Sequence, residues 1–260
     1  MKAAHLFDAV SGKLLDHAVV VVGGLKIQAV GPDVKLPTDA QMMHFPAEQS
    51  LYAARFAKST LEAGFTTVRD LGSTDYVSLG LRNAINAGAI AGPRMLVANY
   101  AVGSTAGHAD QDPVPPQRIA PAGPIQGVCN GPEECRAAVR YQIKFGADVI
   151  KFMPSGGVLS LADPVDTPEL TQQEMNAIVS EAHAWKRRVA AHCHGDIAAK
   201  MAIAAGVDSI EHGTYLQDDT LQPGKSADIV AVSGNPLLDI QTTEHPLLVM
   251  KQGVVYVGAK

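Results

Sequence analysis

Apolar and polar positions along the middle of the chain switch repeatedly between a helical period and short unbroken apolar runs. Residues 48–63 (EQSLYAARFAKSTLEA) are apolar at helical spacing and stop at Gly64, and FTTVRDLG then reads as a strand. Residues 75–88 repeat the helical pattern before a second strand, RMLVANYAV. A third helix is expected over 132–145, with Pro132 in its first turn, Glu133 and Glu134 beside it and Gly146 at its end. Strand 147–153 follows it. The next helix opens at Thr171 with Glu174 three residues on, a capping box, and runs to about Lys186 before the strand VAAHCH. Helix 196–205 ends at Gly206 and leads into DSIEH. This unbroken alternation predicts a parallel (β/α) sheet or barrel.

The two ends of the chain are different. HLFDA, HAVVVVGG and KIQAVG near the start, and ADIVAVSG, LLVMKQG and VVYVG near the finish, are β-branched runs divided by turn signals. The expectation is that the termini, 1–40 and 221–260, pair into one small sheet or sandwich, with a barrel portion over 41–220 inserted between them. A Pro- and Gly-rich loop, 103–128, is long enough to read as part of an active site. No internal repeat stands out.

Composition narrows the function classes. At 260 residues and 47% apolar, the chain can bury a full core. Its net charge of -5, with scattered Lys and Arg, gives no footprint for nucleic acid. No apolar run reaches membrane-span length. The start, MKAAHLFDAV, lacks a signal-peptide pattern, so a cytoplasmic protein is expected, with a processed secreted form left open. Cys129, Cys135 and Cys193 form neither an even set nor a zinc-type pair, and no disulfide framework is expected.

Candidate chemistry lies between Gly146 and Tyr215, where three apolar runs end on Lys151, His192 and His212. Residues at the carboxyl ends of parallel strands converge on one site, and this trio suggests a metal centre. Lys151 sits inside DVIKFM, where an ammonium is costly to bury. It either reaches a buried carboxylate such as Glu211 or carries chemistry, for which a carbamate bridging two cations is one solution. His192 and His194 are two apart on a strand and face the same side. Taken singly, each histidine is as well explained as an ordinary polar residue at a strand end.

Several motifs occur in order: GFTTVRDLG, GADVIKFMPSGGV, HCHGDIAAKMAIAAGVDSIEHGTYL and PGKSADIVAVSGNPL. Together they resemble the metal-dependent amidohydrolase superfamily, in its imidazolonepropionase-like and Xaa-Pro or Xaa-Arg dipeptidase-like branch. The resemblance implies a (β/α)8 TIM-type barrel with a β-sandwich built from both termini. It also implies two divalent ions, typically zinc, bridged by carboxylated Lys151, with His192 and His212 as further ligands. His194, His108 in the loop motif STAGHAD and Tyr215 are placed as substrate contacts, and Arg69 and Asp70 as structural residues of the barrel rim. The implied reaction is hydrolysis of the amide bond of a peptidyl or N-acyl amino acid. A cyclic amide of the imidazolone type, or a catalytically silent metal-binding or structural protein, are the alternatives. Partners implied are a small, dipeptide-like amide and, in a homo-oligomer, further copies of the chain.

The sequence departs from the family pattern at two places. Between VKLPTDA and EQSLYAARF there is only QMMHFPA, so His44 stands alone where the family has an HxH pair on barrel strand one. Near 216–222 the chain runs straight towards the terminal β segments, where the family has strands seven and eight with a ligand Asp. The barrel is therefore expected to be incomplete.

Overall fold

In a computed structural model, the structure describes residues 2–8, 13–23, 26–31, 45–110, 117, 120–158, 160, 163–217, 220, 229–231, 248–251 and 254–258. His44 lies outside them. Residues up to Leu216 form one compact unit and those from Gln217 a second.

At the start, β1 (Lys2–Asp8), β2 (Lys13–Gly23) and β3 (Lys26–Gly31) form an antiparallel sheet in chain order. The central segment is α1 (Pro46–Glu62), β4 (Thr67–Asp70), α2 (Val77–Asn86), β5 (Arg94–Val97), α3 (Pro132–Lys144), β6 (Val149–Phe152), α4 (Gln172–Ala184), β7 (Arg188–Cys193), α5 (Asp196–Ala205) and β8 (Ser209–His212). In the second unit, β9 (Ile229–Ala231), β10 (Leu248–Lys251) and β11 (Val254–Val257) pair in the order β11-β10-β9. Among the described residues the strands near each end form a three-stranded ladder. β1, β2 and β3 follow one another closely in sequence, and pairing such neighbours costs little chain entropy.

The central strands are all parallel and lie side by side in chain order. β4 pairs with β5, and β6 with β7 and β8. The two groups are joined beyond β5, where Val102 bridges Phe152 and its N–H donates to Lys151 O at 2.8 Å. Arg69 of β4 and Glu211 of β8, on the outer strands, nevertheless meet at 3.0 Å. The array is therefore curled, with the side chains of its first and last strands touching across the concave side.

Alternation along β6 divides its side chains between two environments. Ile150 and Phe152 are fully buried in the main core with Val139 of α3, Met175 and Ile178 of α4 and Ala199 and Ala202 of α5. Val149, on the other face, packs with Ala98, Ala190 and Leu71 in a smaller cluster. Lys151 shares that second face by the period of two, one layer nearer the carboxyl ends of the strands.

Local sequence sets the helix ends. Thr171 Oγ1 accepts the Glu174 N–H at 3.3 Å, and Glu174 Oε2 accepts the Thr171 N–H at 2.7 Å, completing the predicted capping box. Glu174 Oε1 also accepts from Gly131 N–H at 2.7 Å, so one carboxylate serves the starts of both α4 and α3. Burial alone would raise its pKa, but these hydrogen bonds prevail and hold it below the usual range. Thr171→Ala is expected to cost about 1 kcal/mol, read as a lower denaturation midpoint at an unchanged denaturant slope. α5 ends at Gly206 with φ 93°, a left-handed cap that favours glycine.

The cysteines correct the sequence reading. Cys129 and Cys135 form a disulfide, with Cα atoms 5.0 Å apart, that ties the 103–128 loop to the first turn of α3. Cys193 alone is free, and it is buried. Pairing depended on the turn at Asn130–Gly131, which brings the two thiols together; an odd count of three had concealed it. Trp185 caps the end of α4, half exposed, with its Nε1–H donated to Glu181.

Candidate active site

Four histidines converge at the carboxyl ends of β7 and β8. The His192 ring lies 4.5 Å from His108, 4.7 Å from His194 and 4.6 Å from His212, and His194 stacks on His212 at 5.1 Å. His192 is the penultimate residue of β7, and its Nε2 is 3.1 Å from Gly156 O. Because a carbonyl can only accept, Nε2 carries the proton and Nδ1 keeps a lone pair. His194, just past the strand, has Nδ1 2.9 Å from Thr214 Oγ1 and takes its N–H to Ser155 Oγ at 2.9 Å. Its carbonyl accepts the Tyr215 N–H at 3.1 Å, and the Tyr215 side chain stays half exposed.

His212 closes β8 with φ 74°, a left-handed conformation uncommon for a residue with a Cβ. The Gly213 N–H, bonded to Cys193 O at 2.9 Å, ties this turn to β7. Such a conformation persists where surrounding structure dictates it, and it marks sites at which a side chain is aimed.

Lys151 lies on β6, directly beside β7, and is 5% exposed. Burial is the main reason its pKa falls, helped by Arg69 and opposed by Glu211 and Cys193. The ion pair of Glu211 is made to Arg69, and Ser209 Oγ donates to the same carboxylate at 2.8 Å. Arg69 therefore does more than brace a rim: it occupies the carboxylate that Lys151 could otherwise have taken. Asp70 closes β4 and accepts the Gly72 N–H at 3.4 Å.

Three of the imidazoles are shifted towards the uncharged form. Burial pushes His192 down to about 3 against the pull of the Gly156 carbonyl, and His108, Lys151 and His212 add to the shift. His194 is lowered by burial and by His212 and His108, and His212 by burial and Lys151 with Glu211 opposing. Burial lifts the Cys193 thiol to about 12, which makes it inert beside them.

Neutral imidazoles are donors that a borderline divalent cation such as zinc takes, and an amine of lowered pKa can supply an oxygen donor once converted to a carbamate. No three His, Cys, Asp or Glu among the described residues are grouped as a ligand set. The trio expected from the sequence contains a lysine and two histidines, and on the chemistry of these donors it fits a divalent ion.

The profile of the amidohydrolase family matches residues 36–219. The chain belongs to this family. Its members share a TIM-barrel fold, in keeping with the parallel α/β array seen here. Ochratoxinase from Aspergillus niger is 34% identical over 208 residues, an alignment that takes in 75% of this chain and 42% of that enzyme. The chain thus spans less than half the length of this curated relative. Among solved structures, a Xaa-Pro dipeptidase with methionine bound in its active site aligns with a TM-score of 0.66 and 26% identity, covering 99% of each chain. The structure of the A. niger ochratoxinase aligns with a TM-score of 0.62 at 22% identity over 99% of this chain and 95% of that one, a likeness of fold.

All six site residues expected from the sequence lie in this region, and the structure brings four of them ring to ring: His108, His192, His194 and His212. Two features went unforeseen. One is the Arg69–Glu211 pair, from residues far apart in sequence. The other is a pair of acids, Asp163 and Glu169, behind His108. DPVDTPELT is rich in turn formers, and nothing in it marks Glu169 as partly buried.

Proposed function

We propose that this amidohydrolase family member hydrolyses an amide bond of a peptidyl or N-acyl amino acid, with a divalent metal held by Lys151, His192 and His212. The observation that carries the reading is the buried, low-pKa Lys151 on β6 beside two uncharged imidazoles on β7 and β8. The relatedness to enzymes that act on amide bonds supports the same class.

A bound divalent ion would polarise the scissile carbonyl and lower the pKa of a water molecule. The chain's own residues prepare the site for it. Burial leaves the Lys151 Nζ lone pair available to add carbon dioxide, giving a carbamate and releasing a proton. The Gly156 carbonyl fixes the His192 tautomer, so Nδ1 is the nitrogen that donates. His108, His194 and Tyr215 line the approach and are assigned to the substrate. The Arg69–Glu211 pair keeps a carboxylate beside Lys151 compensated. No helix among the described residues is long and apolar enough to cross a membrane. The Cys129–Cys135 disulfide favours an oxidising compartment as the working environment, against the cytoplasm expected from composition.

The test is elemental analysis of purified protein together with hydrolysis of a panel of N-acyl amino acids, dipeptides and an imidazolone, with and without bicarbonate. Bound zinc and bicarbonate-dependent release of a free amino acid are expected. Metal-loaded protein that cleaves nothing in the panel would defeat the hydrolase reading and leave a metal-binding protein.

A further inference from the structure

His108 is gripped from behind by a single hairpin that follows β6. The two legs of the hairpin are joined by the Ser155–Pro168 bridge, by Gly156 N–H to Thr167 O at 3.2 Å and by Glu169 N–H to Pro154 O at 2.9 Å. From this hairpin Glu169 Oε2 accepts the His108 N–H at 2.8 Å. Gly107 passes so near that a Cβ on it would lie 2.7 Å from the same oxygen. Ser160 Oγ is 2.6 Å from His108 Nδ1. The His108 ring fills the space where a Cβ on Gly157 would stand. Main chain, ring nitrogen and ring face are therefore all fixed by the hairpin, and the ring is delivered 4.5 Å from His192.

The carboxyl group of Glu169 is in an unusual position. Its Oε1 is buried with no donor to accept from, and the Asp163 carboxyl lies within hydrogen-bonding reach of the Glu169 carboxyl. Asp163 accepts the Gly157 N–H at 2.9 Å and is bonded by Ser160. A buried oxygen left without a donor, opposite a second carboxylate, is tolerable on a neutral acid and costly on an anion.

We propose that Glu169 is a positioning residue acting through His108: as a neutral acid beside the Asp163 carboxylate it locks the 104–110 turn onto the hairpin and so holds the His108 ring at the histidine cluster. Electrostatics agree with this geometry. Burial first, then the Asp163 carboxyl, push Glu169 up to about 8. Asp163 lies below the usual carboxylate range: burial opposes this, but hydrogen bonds from Glu169, Gly157 and Ser160 outweigh it. Among the described residues the titratable groups facing Glu169 are Asp163 on its own hairpin and His108 on the opposing turn. The folded-state pKa is raised, so the contribution of Glu169 is complete below its unfolded value of 4.5 and is lost as pH rises through about 8. Above that, two carboxylates face each other and the lock opens.

The catalytic consequence rests on the hydrolase reading, but the lock itself can be measured without activity. Hydrogen exchange at the His108 amide, corrected for its intrinsic pH dependence, reports the lock directly. In the wild type, protection should fall about tenfold per pH unit between about pH 5 and 8, the slope of one proton released on opening, and level off above 8. Glu169→Gln keeps an acceptor for His108 and offers Asp163 a donor, so protection should persist with no such fall. Glu169→Ala should lose protection at every pH and raise KM for an N-acyl amino acid more than it lowers kcat. Wild-type protection that stays flat between about pH 5 and 8, or an amide in Glu169→Ala as protected as in the wild type, overturns the proposal. If Glu169→Ala does not fold, the contrast between wild type and Glu169→Gln decides alone. If no variant hydrolyses any amide, the functional reading falls while the exchange data still decide on Glu169.

Discussion

Lys151→Ala is expected to abolish stoichiometric divalent metal and to lower amide hydrolysis by at least about a hundredfold. Groups that merely support metal ligands cost about 10–100-fold when removed, so a ligand should cost no less than the upper figure. Short carboxylic acids should restore part of the activity by placing a carboxylate where the carbamate stood. A companion, Lys151→Met, separates function from folding. The depressed pKa of Lys151 means that the folded state disfavours the ammonium, mainly through burial. An apolar side chain of similar length should then leave the thermal midpoint unchanged or raised when both proteins are compared free of metal, while abolishing metal uptake. Calorimetry and elemental analysis on the same samples check both halves, and full metal occupancy in Lys151→Ala would overturn the assignment.

Phe152→Ala should have the largest effect on stability, about 3–5 kcal/mol. Phe152 is fully buried and neighbours Lys151 on β6, pointing the other way into the core between the sheet and α3 and α4. Its removal leaves a cavity beneath the strand that carries the lysine. Denaturant titration should show a lower midpoint, and metal affinity should fall with it because the strand loses its backing. A variant as stable as the wild type would show that the core repacks freely at this point.

The helices and strands of the central segment were legible because their determinants are local. The capping box at Thr171 and Glu174, the stop at Gly206 and the β-branched run before Lys151 all act within a few residues. The strand ends bearing Lys151, His192 and His212 were legible for the same reason, since a parallel α/β array gathers such ends on one side. The Cys129–Cys135 bond was not legible, because its partners are matched by the path of a turn rather than by a count.

By itself, then, the sequence determined the alternation of helices and strands, the face of β6 on which Lys151 lies and the histidines available at the strand ends. Only the tertiary structure decided which of these groups meet. The curl of the sheet sets Arg69 against Glu211, leaving Lys151 without that carboxylate as its ion-pair partner. The hairpin after β6 sets Glu169 and Ser160 behind His108, giving a loop histidine a fixed place beside His192. Pattern along a chain reports the environment of each residue over a turn or a strand. Partnerships across the concave side of the sheet depend on curvature and loop path, which arise only when the elements pack.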